Sequence, residues 1–397
     1  MNERIRADFP ITSAVVYMDS AATSLTPEPV VEAVSRYYRE YNANVGRGVY
    51  RLAQIATQRY QDAHRKVAHF LGATEGEVIF TKNTTEAINM VAYGLHWQRG
   101  DEVVTTLLEH HSNFLPWMRL KEKGVRVKIV KPTLDGRFEL AEFEQAITEK
   151  TKMVAVSQVS NVLGAIAPVK ELAALCAEKR TETGPLVLVD GAQSAPHLPL
   201  DVSGLGCDFF ACAGHKMLGP TGTGVLWAKD PELLEPAFFG GGMIETVSQD
   251  AYTLASGYER FEAGTPHIAG GIGLGRAVDY LTNVGMEQLS RYEARLTQRL
   301  LEGLESIEKV RLYGPSDLRD RIGVVSFTVD GVHPHELARM LDEAANIMVR
   351  SGHHCCMPLM DYLGLKNGTV RASLYLYNLE EEIDALLEAV AAIARAV

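Results

Sequence analysis

The sequence predicts an α/β fold: a three-layer αβα unit followed by a smaller α+β unit. Three observations carry this. Between residues 77 and 190, strand-like runs of four to seven residues alternate with helical ones, the signature of βα units around a mostly parallel sheet. Runs such as LVLV (186–189) are apolar without alternation, as a sheet covered on both faces requires. After about residue 265 the order changes to long helices and isolated strands.

The elements follow in order. Residues 28–40, EPVVEAVSRYYRE, have helical spacing behind Pro27, and 51–69 read as a second helix. EVIFT (77–81) is a strand, followed by the helix TTEAINMVAYGLH. DEVVTT (101–106) is a strand, and HSNFLPWMRLKEKG (111–124) a helix. VRVKIVK (125–131), KMVAVSQ (152–158) and PLVLVD (185–190) are strands, separated by the helices ELAEFEQAI and PVKELAALCAEK. CDFFACA (207–213) and TGVLWA (223–228) leave no room for a helix between them, so the sheet is expected to change character there. A helical stretch runs through 268–304 with a break near Gly285. Then come VRLYG, GVVSFTV, the helix HPHELARML, IMVR, TVRASLY and a terminal helix. The expected organisation is an N-terminal segment (1–15) packing on the small domain, a large domain (16–281) and a small C-terminal domain (282–397).

The 397 residues are 46% apolar, enough for a well-buried core, and the net charge of -11 argues against a broad nucleic-acid footprint. No signal-peptide pattern opens the chain and no 18-residue apolar run occurs, so no membrane span is expected. Five cysteines are too few and too scattered for a disulfide framework, and a reduced, cytoplasmic setting is expected.

Three segments suggest chemistry. Lys216 lies in FFACAGHKMLGPTGTG (209–224), after a strand and before a Gly-Pro turn. A lysine held there could form an imine with a carbonyl cofactor; a plain surface lysine is the alternative. Asp190 ends an apolar strand, at the carboxyl edge where α/β proteins bind ligands. It could pair with a protonated ring nitrogen or merely cap a turn. At Thr84-Thr85 a strand meets a helix, whose free N–H groups and hydroxyls make an anion site. An ordinary capping box, with threonine at the cap, is compatible.

With these residues the chain resembles the fold-type I pyridoxal-phosphate enzymes, in the class V aminotransferase branch, and more closely the cysteine desulfurases of the Suf type. The segments carrying the resemblance are YMDSAAT (17–23), EHHSNFLPW (109–117), SNVLG (160–164), VDGAQS (189–194), GHKMLGPTGTG (214–224), FEAGTP (261–266), RSGHHCCMPLM (350–360) and VRASLYLYN (370–378). The resemblance implies pyridoxal 5'-phosphate as cofactor, with Lys216 as the Schiff-base lysine, His110 stacked on the ring and Asp190 at its nitrogen. Gln193 and Asn161 would lie beside the ring hydroxyl, and Thr84, Thr85 and His215 at the phosphate. Thr265 would reach the phosphate of a partner subunit in a homodimer. Arg371 would clamp the substrate carboxylate, with Asn161 and Arg350 nearby. Two positions depart from the family pattern: Ala213 replaces a phosphate-touching serine, and Tyr50 replaces a histidine near the partner's site.

The run HHCC (353–356) has several readings. Four consecutive ligands cannot wrap one zinc ion, and no second ligand pair completes a set, so no metal is expected. A vicinal disulfide would be strained, and packed cysteines need no chemistry. MPLMDYLG beyond it has helical spacing with Pro358 in the first turn, which puts Cys355 at or just before a helix start. By the resemblance Cys355 is the nucleophile and Cys356 stands where a small residue is usual. His353 and His354 could sharpen the local field, donate protons or pin the loop. The implied reaction converts L-cysteine to L-alanine, leaves a persulfide on Cys355, and passes its sulfur to an acceptor or scaffold protein of iron–sulfur assembly. Selenocysteine lyase, another class V reaction and a non-catalytic scaffold are the alternatives.

Overall fold

The apolar run Leu186–Asp190 is the centre of a seven-stranded sheet in the order Glu77–Thr81, Gly224–Ala228, Phe209–Ala213, Leu186–Asp190, Thr151–Ser157, Glu102–Thr106 and Arg126–Val130. This is a computed structural model, and it describes residues 2–181 and 184–397. Gly224–Ala228 is antiparallel to both neighbours and every other pairing is parallel, the change of character expected where no helix fits. Alternate residues of the central strands feed different cores. Val187, Val189, Phe210 and Trp227 pack on one face, and Leu188, Phe209, Leu226 and Ala228 on the other. This is the period-two consequence of a sheet buried on both sides.

The expected helix over 111–124 is instead three short pieces: a 3-10 turn His111–Asn113, a helix Leu115–Arg119 and a second 3-10 turn Leu120–Lys123. Pro116 supplies no N–H and belongs in a first helical turn, so the helix starts afresh around it. Gly124, with φ of 81°, ends the run. The long helical region divides at Gly285 into Ile268–Val284 and Met286–Glu305.

The second unit is a four-stranded antiparallel sheet, ordered Val310–Tyr313, Val324–Val329, Thr369–Ser373 and Arg350–Gly352. Leu296, Leu300, Leu337, Leu341, Ile383 and Leu386, from the helices Met286–Glu305, Pro334–Ala345 and Glu380–Ala396, share its core. The run IMVR splits: Ile347–Met348 pairs with Val16–Tyr17, and Arg350–Gly352 joins the sheet. Near the N-terminus, Arg6 pairs with Glu382 and bonds to the carbonyl of Tyr377, while Phe9 packs on Tyr280 and Tyr377. We propose Gly285 as the junction between the two units, because the helix before it is continuous through residue 281.

Candidate active site

Strand ends of the large sheet and an edge of the small sheet enclose one chamber. It is lined by Thr84, Thr85, His110, Asn161, Asp190, Gln193, His215, Lys216, Arg350, Cys355 and Arg371. Every candidate site residue except Thr265 is therefore in one place. The chamber opens at the carboxyl edge of the parallel strands, where the chain leaves the sheet and loops are free to carry side chains.

One half of the chamber is made by the large sheet. Asp190 is the last residue of the central strand, and its Oδ1 accepts from the backbone N–H of Ala192 at 2.9 Å. Burial raises its pKa, against the opposing pull of Lys216. After Ala213 a 3-10 turn, Gly214–Lys216, carries Lys216 over the strand ends. Desolvation brings the Lys216 ammonium down to about 8; Asp190 opposes this, and Arg371 and Arg350 add to it. His110 accepts the backbone N–H of Ser112 on Nδ1 at 3.1 Å, so the neutral ring carries its proton on Nε2. Burial first, then Lys216, takes His110 down to about 3, so the ring is neutral.

The helix Thr84–Gly94 is capped by Asn83, whose side chain accepts from the N–H of Glu86 at 2.9 Å, and not by threonine. The threonines are thereby left for the chamber: Thr84 Oγ1 is buried without a partner, and Thr85 Oγ1 meets Ser112 Oγ at 2.6 Å. Gly224 lets the neighbouring strand approach this helix start, since a Cβ there would lie 2.5 Å from Asn83 Cα. Gln193 donates to the carbonyl of Ala21 at 2.8 Å, and its Oε1 is buried and unpartnered. The carbonyl of His215 accepts from Ser24 N–H at 2.8 Å.

The other half comes from the small sheet. Arg350 and Arg371 are direct cross-strand partners. Like charges placed opposite each other repel unless an anion sits between them. Arg371 is fully buried and reaches Asp19 Oδ1 through Nη2 and the carbonyl of Asn161 through Nη1, both at 2.9 Å; its Nε is unpartnered. Part of its fork is thus already engaged. Asn161 Nδ2 in turn donates to the carbonyl of His354 at 2.8 Å.

The HHCC run resolves into four roles. All five cysteines are free, and Cys355 alone among them is partly exposed. It lies one residue before Cys356, the N-cap of the six-residue helix Met357–Tyr362. Cys356 is buried, its thiol reaches the carbonyl of Glu109 at 3.2 Å, and burial followed by Glu109 pushes it up to about 12. It is a packed thiol whose environment disfavours the thiolate. His353 bonds to the carbonyl of Lys366 at 2.9 Å, and His354 is buried. Among the described residues no cluster of three or more His, Cys, Asp or Glu could hold a metal ion.

Thr265 and Tyr50 both line a separate surface groove with Arg47 and Gly264. Ala213 lines the chamber itself. Cys212 points into the core on the opposite side and is pushed up to about 12 by burial. Two contributors escaped the sequence reading. Asp19 stood within YMDSAAT without a role, and only the fold brings it to Arg371. Ser112, two residues after His110, bonds to its ring and to Thr85; its closeness to His110 in EHHSN was the available signal.

Residues 16–386 match the aminotransferase class-V family. The chain is 45% identical over 397 residues to a probable cysteine desulfurase of Methanothermobacter thermautotrophicus, covering 99% of this chain and 98% of the relative. It superposes on the apo structure of a cysteine desulfurase from Thermococcus onnurineus with a TM-score of 0.95, at 46% identity and covering 100% and 98% of the two chains. The Escherichia coli cysteine desulfurase CsdA gives a TM-score of 0.90 at 36% identity, covering 99% and 98%.

Proposed function

The chain belongs to the aminotransferase class-V family, and from that premise we propose that it is a pyridoxal-phosphate-dependent cysteine desulfurase. The observation that carries this reading is the meeting of Lys216 and Cys355, the one partly exposed thiol, in a single chamber. Transamination needs the lysine and has no use for the thiol.

The chamber fits the cofactor. Two of its buried polar atoms, Thr84 Oγ1 and Gln193 Oε1, have no partner in the protein. A buried unpaired polar atom costs roughly 1–3 kcal/mol, so both await a ligand. Thr84, Thr85, His215 and the helix start would hold the phosphate, and Gln193 the ring hydroxyl. Asp190 would face the ring nitrogen and His110 would cover the ring. Ser112, bonded to Thr85, is placed to supply the hydroxyl that Ala213 lacks. When bound, pyridoxal phosphate supplies a carbonyl carbon for the substrate amine and an electron-accepting ring.

The protein's own groups then divide the work. Lys216, with its pKa brought down to about 8, carries a larger share of free amine near neutral pH than an ordinary lysine and can take the proton from the substrate α-carbon. Arg371 and Arg350 bind the substrate carboxylate, relieving their mutual repulsion. His110 stays neutral and keeps a second cation away from the ring. The Cys355 thiolate attacks the substrate sulfur. One S–S bond forms and the substrate C–S bond breaks with its electron pair staying on carbon. Protonation of that carbon, and return of the proton held by Lys216 to the α-carbon, yield alanine and leave the sulfur as a persulfide on Cys355.

The partly exposed position of Cys355 supports hand-over to an acceptor protein, for iron–sulfur assembly. Thr265 lies outside its own chamber, in a groove near the exposed Phe238 and Phe239, which supports a homodimer in which it serves the partner's site. Among the described residues no helix is long and apolar enough to cross a membrane. Mass spectrometry after adding L-cysteine and cofactor tests the reaction. The expected result is one added sulfur atom on the Cys355 peptide together with L-alanine; alanine without the adduct, or a keto acid, would refute it.

A further inference from the structure

The reaction above uses neither histidine of the HHCC run. His353 is tied to the loop at Lys366. His354 is different: it is 4% exposed, it lines the chamber, and it adopts φ of 50° immediately before Cys355 at 57°. Two consecutive residues with side chains in the left-handed region cost on the order of 1 kcal/mol each. Such a stretch persists only where its surroundings enforce it. We propose that His354 is a positioning residue: its buried ring, held by Thr369, fixes the left-handed stretch that presents the Cys355 thiol to the chamber.

His354 Nε2 meets Thr369 Oγ1 at 2.9 Å. Thr369 pairs in register with Gly352, where the loop leaves the sheet, so one ladder rung supports both the start of the loop and its anchor. The two backbones approach tightly there, since a Cβ on Gly368 would lie 2.2 Å from the carbonyl carbon of Gly352. The backbone is held from the other side as well. Asn161 Nδ2 donates to the His354 carbonyl and His111 N–H to the Cys355 carbonyl, each at 2.8 Å. The ring's Nδ1 is buried with no partner. An apolar side chain would avoid that cost, so the ring is not simply filler; its gain is the Thr369 bond. Burial, with Arg371 and Arg350 adding to it, lowers His354 to about 2. This shift disfavours a charged ring, which argues against the field effect and the proton donation considered from the sequence.

The inference rests on Cys355 being the nucleophile, and its test has one arm that does not. His354→Phe keeps a flat aromatic ring and loses the bond; His354→Gln can restore it. With L-cysteine and cofactor, persulfide formation should slow about tenfold in His354→Phe and recover to within about threefold in His354→Gln, a tenfold change being about 1.4 kcal/mol. KM for L-cysteine should stay within about twofold in both, because the groups that bind the amino acid are untouched. Unchanged persulfide formation in His354→Phe, or an equal loss in KM, would overturn the proposal. The independent arm is alkylation of Cys355 by iodoacetamide in cofactor-free protein, read by peptide mass. A change of about threefold or more in His354→Phe, reversed in His354→Gln, is expected, and equal rates would overturn the proposal. Thr369→Val removes the same bond from the other side and should shift the alkylation rate in the same direction. If the unsubstituted protein forms no persulfide, the desulfurase reading fails and the alkylation arm still decides the role of His354.

Discussion

The half of the chamber proposed to hold the cofactor is assembled from residues at or just beyond strand ends of the large sheet: Thr84, His110, Asp190, Gln193 and Lys216. The half proposed to bind substrate comes from Arg350 and Arg371, opposite each other on adjacent strands of the small sheet, and from Cys355 on a left-handed loop. The first half needs one rule, that parallel strands present ligands at their carboxyl ends. The second needs a strand register and a strained loop, and both can be moved by small changes. The cofactor half should therefore tolerate changes on the substrate side, whereas substrate-side changes should separate binding from sulfur transfer.

The sharpest break is Cys355→Ser. A hydroxyl at this site is a far poorer nucleophile toward sulfur than a thiolate, so turnover with L-cysteine should fall by about a thousandfold or more. Cofactor loading, followed by absorbance, should match the unsubstituted protein. A Cys355→Ser protein that still released alanine at the original rate would separate the chamber from sulfur chemistry. Arg371→Lys comes next. Lysine keeps the charge but loses the planar fork that also reaches Asn161 and Asp19. KM for L-cysteine should rise about 30-fold, roughly 2 kcal/mol, with a smaller fall in kcat. An unchanged KM would remove Arg371 from the carboxylate site.

On the cofactor side the depressed pKa of Lys216 gives a pH signature. In cofactor-free protein its amine is mostly protonated below about 8 and mostly free above it. Borohydride trapping of added pyridoxal phosphate on Lys216 should rise about tenfold from pH 7 to pH 9 and then level off. A lysine at its usual value would still be gaining free amine beyond pH 10. A rise without a plateau would mean that Lys216 is not desolvated in solution.

The same division explains what could be read from sequence. Asp190 and Lys216 follow apolar runs and sit beside glycine turns, so their place at a sheet edge was legible. The antiparallel strand Gly224–Ala228 was legible from the missing helix before it. The pairing of Arg350 with Arg371 was not, because nothing local specifies which residues of two strands stand opposite each other. Asp19 was invisible for a similar reason: its partner is 352 residues away. The helix expected over 111–124 broke because Pro116, with the bonds that Asn113 donates to Glu109 and accepts from Trp117, overrides its helical spacing. The left-handed conformation of His354 and Cys355 has no sequence signal, since neither is glycine.

Cys356 sets the fine limit of the comparison, because it adjoins the proposed nucleophile yet packs with Leu108, Val162, Leu163, Leu359 and Met360. Its thiol donates to the Glu109 carbonyl, just ahead of His110, and so joins the nucleophile loop to the cofactor half. Cys356→Ala removes one buried sulfur and a weak hydrogen bond. It should cost about 1–2 kcal/mol of stability, seen as an earlier denaturant midpoint. Turnover should stay within about twofold, because a thiol pushed up to about 12 contributes almost no thiolate at neutral pH. After L-cysteine treatment the sulfur adduct should remain on residue 355 in the same yield. A large loss of turnover with stability intact would instead make Cys356 a relay for the sulfur, and the division between a reactive and a packed cysteine would fail.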